Sequence, residues 1–341
     1  MEIIGHQKQQ LFLRQMAQFH NLPHGFLFLG QEKLGKAKVA LEFVKSINCA
    51  NKNNQGQPCQ NCSSCQSIER LMHPDLLIIR PKNKEIQIGQ IRDLSRKLSL
   101  RPFQFFFKSA IIDDAHLMNA DAQAALLKTL EEPSGNTVII LITGNPDMVS
   151  LAIRSRIQKI RFGRLGRSAI KDYLLSQGLA KEKVELITLI SAGRPGVAID
   201  LSASQDKLDR EERLLSDLIK IISADSGLTY RFERAKSFSQ QSKTSHQDNA
   251  ILEEQQKEES DQSVQGRQLL EGWLVYLREF LLLKIGVGTS INLYPDVIKT
   301  LERCPFDKII KIIQATQSAL FLTTTTNTNS RLALEMIMLE M

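Results

Sequence analysis

Four cysteines lie close together in the first fifth of the chain. Nine residues separate Cys49 from Cys59, and Cys59, Cys62 and Cys65 are each two residues apart. The last three thiols can surround one ion in a tight turn, and Cys49 can complete a tetrahedron from the end of the preceding helix. Four thiolates form a closed site with no position left for water, which is typical of structural Zn²⁺. The spacing therefore predicts structural zinc, with four free thiols in a loop as the alternative.

A glycine-rich loop is the second candidate site. Gly30, Gly35 and Lys36 match the phosphate-loop pattern GxxxxGK. In such a loop, backbone N–H groups hold phosphate oxygens and the lysine neutralises the β and γ phosphates. The next residue in the pattern is Ser or Thr, whose hydroxyl binds magnesium, but here it is Ala37. We therefore expect binding of ATP and Mg²⁺ to be weak or absent. The alternative is a glycine turn that only joins a strand to a helix.

Two adjacent carboxylates, Asp113 and Asp114, end a later apolar run. In a P-loop fold the first such aspartate holds magnesium through water, and the next acidic residue polarises the attacking water. Asp114 stands where the longer glutamate is usual, and its shorter reach weakens the case for hydrolysis. Alternatively, both carboxylates only cap the following turn.

The elements that position these residues can be read from periodicity and chain breakers. Strands are predicted at 25–29, 76–80, 105–113 and 137–143, and helices at 36–47, 88–98 and 121–131. This alternation predicts a mostly parallel sheet with helices on both faces, that is, an α/β P-loop domain. After residue 161 only helices are predicted, short ones over 168–201 and long ones from 208 onward.

Composition and charge exclude several classes of protein. The 341 residues are 42% hydrophobic and 24% charged, which is typical of globular domains and excludes disorder as the main state. The sequence has no apolar run long enough to span a membrane and no secretory signal, so we expect a cytoplasmic location. Residues 1–166 hold 22 basic and 13 acidic residues, within a net charge of +7 for the whole chain. This bias favours a polyanionic partner such as nucleic acid, although an ordinary solvated surface explains it equally well.

With the phosphate loop and the paired aspartates, three further stretches resemble a known family. Residues 119–133 read NADAQAALLKTLEEP, residues 153–157 read IRSRI, and residues 327–339 read NTNSRLALEMIML. Together with the cysteine window, they resemble the AAA+ clamp-loader subunits of bacterial DNA polymerase III, in particular the delta prime type. That type has a degraded phosphate loop, whereas the gamma and tau types keep GKT or GKS. Ala37 therefore favours the delta prime type over the gamma and tau types.

The resemblance implies roles for individual residues. Arg156 stands at the arginine of the SRC motif, which is directed at the ATP of a neighbouring subunit, and a salt-bridged surface arginine is the alternative. Thr143 stands at the position called sensor 1. Arg194 lies in a region similar to the sensor 2 helix, and neither Thr143 nor Arg194 is given a catalytic role.

The resemblance also implies three parts of the chain. These are an AAA+ P-loop domain over 1–166 with its zinc module at 49–65, a helical lid over 167–207, and an all-α collar over 208–341. Residues 237–266 form a polar insertion whose composition favours disorder over a frayed helix.

The function implied by the resemblance is a largely non-hydrolysing part of the DNA polymerase III holoenzyme. Such a subunit has no polymerase activity or appreciable ATPase activity of its own. Its partners would be gamma or tau and delta subunits and, through the complex, the sliding clamp and primed DNA. Two alternatives stay open: an active motor ATPase of the gamma or tau type, and a zinc-bearing nucleic-acid binding module.

Overall fold

The computed structural model divides the chain into two compact units, each described here by itself. The first comprises Met1–Ile170 and Gly193–Gly196, and the second comprises Lys171–Ala192 and Val197–Met341. Within them the structure describes residues 3–18, 22–82, 84–104, 106–133, 135–223, 227–240, 253–286, 303–325 and 330–340.

Five parallel strands form the sheet of the first unit. They are β1 (Gly25–Leu29), β2 (Leu76–Ile79), β3 (Lys108–Ile112), β4 (Thr137–Thr143) and β5 (Gln158–Arg161). Their order in the sheet is β2-β3-β4-β1-β5. Every residue of β3 and β4 is buried, because helices cover both faces.

Six helices accompany this sheet: α1 (Gln7–Met16), α2 (Lys36–Asn48), α3 (Ser63–Glu69), α4 (Ile88–Ser99), α5 (Ala120–Glu131) and α6 (Leu151–Arg156). On one face, Phe43 of α2 meets Phe26 of β1 with ring centroids 5.1 Å apart. On the other face, Leu94 of α4 and Leu126 of α5 belong to a second buried cluster. The predicted α/β class, with a parallel sheet covered on both sides, is confirmed.

The remaining helices are α7 (Arg167–Ser176), α8 (Lys181–Ser191), α9 (Pro195–Ser202), α10 (Gln205–Ile222), α11 (Leu228–Gln240), α12 (Glu253–Lys284), α13 (Phe306–Thr325) and α14 (Ser330–Glu340). The second unit has an apolar core in which Trp273 of α12 meets Phe238 of α11 edge to face, with ring centroids 5.8 Å apart. The described residues after 166 form helices and their connections, as expected, whereas the boundary between a lid and a collar at 207 stays a prediction.

The polar insertion expected at 237–266 is described only at its two ends. Residues 237–240 end α11 and residues 253–266 begin α12, so the backbone is helical there, and residues 241–252 lie outside the described residues. No helix in the described part of the chain combines the length and apolar character needed to cross a membrane.

Candidate functional sites

The phosphate loop lies between the end of β1 and the start of α2. Gly30 has φ +151°, and a Cβ atom there would lie 2.4 Å from the Phe162 carbonyl oxygen, so only glycine fits. Gly35 has φ +90° and directly precedes α2. Both glycines of the predicted motif are therefore required by the backbone of a strand–loop–helix turn.

Lys36 is buried and turned back onto its own loop. Its ammonium group donates hydrogen bonds to the carbonyl oxygens of Gly30 and Gln31, the latter at 2.7 Å. Burial lowers the pKa of Lys36, and the nearby carboxylates of Asp113 and Asp114 oppose that shift. The ammonium group thus satisfies loop carbonyls in the place where a nucleotide phosphate would compete for it.

The side chain after the lysine is turned toward the protein interior. Ala37 packs against the buried cluster beneath α2, which includes Val44 and Phe28. A methyl group cannot coordinate a metal ion. The loop therefore has the backbone of a phosphate site without the hydroxyl ligand for magnesium.

Three strand ends bring the remaining candidate residues to the same edge of the sheet. Gly30 N–H donates to the Thr143 carbonyl oxygen at 3.2 Å, and Thr143 Oγ1 accepts from Asn145 N–H at 3.0 Å. Asp113 N–H donates to the Ile79 carbonyl oxygen at the end of β2. Thr143 is fully buried, and its Oγ1 is engaged with the backbone.

Asp114 has an unusual backbone and an unusual carboxyl group. Its φ of +49° lies in the left-handed region, and it leads into a short 3₁₀ turn over Ala115–Leu117. Burial, reinforced by the neighbouring Asp113 carboxylate, raises the pKa of Asp114. A carboxylate with a raised pKa is a stronger base, so this shift does not itself argue against a role as general base.

Arg156 lies at the opposite edge of the sheet from the phosphate loop. It ends α6, just before β5, and β5 pairs in parallel with β1 from Phe26↔Gln158 onward. The loop follows the far end of β1, and five strand residues span roughly 16 Å. The fold therefore separates Arg156 from the phosphate loop of its own chain.

The Arg156 side chain is held on the surface by its own chain. Its Nη2 lies 2.8 Å from Oε1 of Glu131, and its Nη1 donates to the Ala152 carbonyl oxygen at 3.0 Å. The adjacent Ile157 is buried and packs so closely on Gly25 that a Cβ atom there would lie 2.4 Å from Ile157 Cγ2. The buried Ile157 thus anchors the backbone next to Arg156.

The four predicted cysteines are brought together. Cys49 follows α2 and Cys62 precedes α3, and all four Sγ atoms lie within 4.8 Å of one another. A tetrahedral ion with Zn–S bonds of about 2.3 Å places its sulfurs about 3.8 Å apart, and the Sγ atoms of Cys49 and Cys62 lie 3.9 Å apart. The cluster therefore has the donor set and spacing of a metal site.

Backbone N–H groups orient these sulfurs. The N–H of Cys62 donates to Sγ of Cys59 at 3.3 Å, and the N–H of Cys65 donates to Sγ of Cys62 at 3.4 Å. The hydrogen bonds that Cys59 receives from backbone N–H groups lower its pKa to about 6, whereas burial raises the pKa of Cys49. Such N–H donors stabilise thiolates, which are the ligand form.

Sequence reasoning missed the residues that support these sites. Gln60 has φ +62° in the turn between Cys59 and Cys62, and its side chain accepts from Lys45 Nζ at 3.0 Å. His6 Nε2 lies 2.9 Å from the Leu34 carbonyl oxygen and steadies the phosphate loop. Both contacts join residues far apart in sequence, so no local sequence pattern predicts them.

The Arg194 segment also reaches the phosphate loop. The N–H of Gly196, two residues after Arg194, donates to the Lys33 carbonyl oxygen at 2.8 Å. A Cβ atom at Gly196 would lie 2.8 Å from that same oxygen, so glycine permits the close approach. The segment over 193–196 therefore braces the loop through its backbone.

Comparisons with known proteins agree with this arrangement. Residues 5–166 match the family model described as DNA polymerase III, delta subunit. The chain is 30% identical over 211 residues to the DNA polymerase III subunit delta' of Bacillus subtilis, which covers 62% of this chain and 63% of that protein. It is 28% identical over 192 residues to the delta' subunit of Pseudomonas aeruginosa, covering 56% and 58%.

A tau subunit is similar over a longer stretch. The chain is 29% identical over 275 residues to the DNA polymerase III subunit tau of Bacillus subtilis, covering 78% of this chain and 46% of that protein. In each of these three comparisons the chain spans less than two thirds of the relative's own length. The resemblance to delta prime subunits noted in the sequence is confirmed, with tau and gamma subunits as further relatives.

Proposed function

We propose that this chain, whose residues 5–166 match the family model described as DNA polymerase III, delta subunit, works as a delta-prime-type subunit of a clamp loader. In this role it joins gamma or tau and delta subunits and helps to load the sliding clamp onto primed DNA. Its own phosphate loop does not drive the reaction. Its Arg156 instead serves the nucleotide of a neighbouring subunit.

The observation that carries the non-hydrolysing role is Ala37. Its methyl group stands where a magnesium-binding hydroxyl is needed and packs on the core beneath α2. Lys36 is occupied by two loop carbonyls, and Asp114 is shorter than the glutamate that is usual at its position. These three features support a loop that binds nucleotide weakly and does not hydrolyse it.

The position of Arg156 supports action on another subunit. The residue lies at the edge of the sheet opposite its own phosphate loop, and its side chain is 42% exposed. Leu151, at the start of the same helix, is 73% exposed, so α6 also presents an apolar side chain to the surface. A guanidinium group delivered from a neighbouring subunit stabilises charge on a transferring phosphoryl group.

We also propose that the cysteine cluster binds structural zinc. Cys49, Cys59, Cys62 and Cys65 would hold one Zn²⁺, which would supply folding energy to the module and leave no position for a reacting water. This site has no catalytic part in the proposed function.

The direct test is reconstitution with the other clamp-loader subunits. The chain should co-purify with gamma or tau and delta, and the complex should hydrolyse ATP faster when primed DNA and clamp are added. Arg156→Ala should leave assembly intact and lower this stimulated rate. A fully assembled Arg156→Ala complex with an unchanged rate would refute the role in trans.

An active motor of the tau type is the second candidate, and the similarity to the tau subunit over 78% of the chain favours it. It requires ATP turnover by the isolated chain. Because Ala37 lacks the hydroxyl group that would bind magnesium, we expect Ala37→Thr to be the substitution that favours ATP hydrolysis by this chain.

A further inference from the structure

Helix α6, which carries Arg156, is fixed at its beginning by a glutamine of α5. Gln123 Oε1 accepts from Ser150 N–H at 2.7 Å, and Gln123 Nε2 donates to the Met148 carbonyl oxygen at 3.1 Å. Ser150 in turn caps α6 by accepting from the N–H of Ile153. The first turn of α6 is therefore tied to α5.

The last residue of α6 is fixed by the same helix. Glu131, eight residues after Gln123, ends α5 and lies 2.8 Å from Nη2 of Arg156. Eight residues of helix rise about 12 Å, so the two contacts are well separated along α5. The short α6 is thus held at both ends by one longer helix.

The two arginines of the IRSRI stretch have different partners. Arg154 pairs with Asp147 at 3.1 Å, and its Nε is buried without a hydrogen-bond partner. Arg156 pairs with Glu131 and also donates to the Ala152 carbonyl oxygen. Each guanidinium group therefore has a separate carboxylate, and only Arg156 is tied to α5.

We propose that Glu131 is a positioning residue that holds the Arg156 guanidinium ready for an anion on a neighbouring subunit. This inference rests on the proposed role of Arg156 in trans. A guanidinium has five N–H donors, and the two contacts described use one on each terminal nitrogen. The other three donors stay available to phosphoryl oxygens while the side chain is anchored.

Anchoring matters because a free arginine side chain loses much rotamer freedom when it binds. A guanidinium held beforehand loses less, which lowers the barrier at the neighbouring site instead of strengthening ATP binding. Removal of Glu131 should therefore lower kcat and leave KM for ATP nearly unchanged. Since the pair is about half exposed, the expected loss is about two- to fivefold.

The test compares reconstituted complexes that differ only in this chain. The variants are Glu131→Ala, Glu131→Gln, Arg156→Ala and the double variant Glu131→Ala with Arg156→Ala. Glu132→Ala is the matched control, because it removes the adjacent exposed carboxylate. For each complex, assembly is checked by gel filtration, and kcat and KM for ATP are measured with primed DNA and clamp.

The proposal predicts a lower kcat for Glu131→Ala, and a rate for Glu131→Gln within about twofold of the unmodified complex, since the amide oxygen still accepts from Nη2. The double variant should be no slower than Arg156→Ala. An equal loss from Glu131→Ala in both backgrounds would mean that Glu131 acts independently of Arg156. A faster Glu131→Ala complex would mean that Glu131 competes with the anion. Either result overturns the inference. If the Arg156→Ala complex instead hydrolysed ATP at an unchanged rate, the proposed function itself would be overturned.

Discussion

Replacement of Cys62 by serine separates metal binding from local backbone structure. Cys62 is the N-cap of α3, and its sulfur accepts from the N–H of Cys65. Serine is among the best N-cap residues, so Cys62→Ser keeps the cap while it removes a metal ligand. Any loss of order in the module then results from the missing metal.

The size of the effect follows from the loop that the metal would hold. Over residues 50–61 the structure buries only Gly56 and Pro58, so apolar burial contributes little. Ordering these 12 residues costs about 12 kcal/mol at about 1 kcal/mol each, and structural zinc supplies about 10–16 kcal/mol. The two quantities nearly cancel, so we expect the loop to be ordered only with metal bound.

The assay combines metal analysis with hydrogen exchange. Protein purified without chelator should contain about one zinc per chain. Cys62→Ser should contain none and should lose amide protection over residues 50–61, while the sheet stays protected. Cys304→Ser is the matched control, because Cys304 is buried outside the cluster. Full zinc content in Cys62→Ser would show that Cys62 is not a metal ligand, and equal protection of the loop without metal would show that the metal does not order it.

Three further predictions concern the first unit. Gly25→Ala should lower the free energy of unfolding by about 1–3 kcal/mol, because the new Cβ meets Ile157, and Ile157→Cys in the same chain should restore part of it in denaturant titrations. Burial lowers the pKa of His6, so the unfolded chain binds that proton more tightly. Stability should therefore fall as the pH drops below about 6.5, and His6→Gln should flatten that part of the pH profile of thermal unfolding. Lys36→Ala should leave ATP hydrolysis by the reconstituted complex unchanged within error.

The strands that carry the phosphate loop could be predicted because their residues are uniformly apolar. The strand predictions at 25–29 and 137–143 agree with β1 and β4 at both ends. The prediction of a strand over 105–113 is too long, because β3 spans only Lys108–Ile112. Phe106 is 64% exposed, and residue 105 lies outside the described residues. Apolar composition alone does not show where an apolar run leaves the sheet.

Short and polar elements escaped prediction. β5 has four residues, of which only Ile160 is buried, and α6 has six residues, below the length at which helical periodicity is visible. Because neither β5 nor α6 was predicted, the resemblance identified Arg156, but the sequence did not show that it lies at the edge of the sheet opposite the phosphate loop. The contact between Arg156 and Glu131 joins residues 25 apart, so only the fold reveals it.

The cysteine site was predictable because ligand spacing is a local property. Three of its members lie within seven residues, and the fourth follows a helix whose end the periodicity indicated. The supporting Lys45 was not predictable. It lies within α2, is buried, and forms an ion pair with Glu69 of α3 that braces the module.

In the proposed function this chain has a phosphate-loop fold but works without hydrolysing ATP itself. This role is tested most directly by ATP turnover of the purified chain alone, beside its Lys36→Ala variant, followed by addition of each to the other clamp-loader subunits. We expect no turnover above background for either isolated protein, and equal DNA-stimulated turnover once each is assembled. Turnover by the isolated chain that Lys36→Ala abolishes would contradict the proposed role.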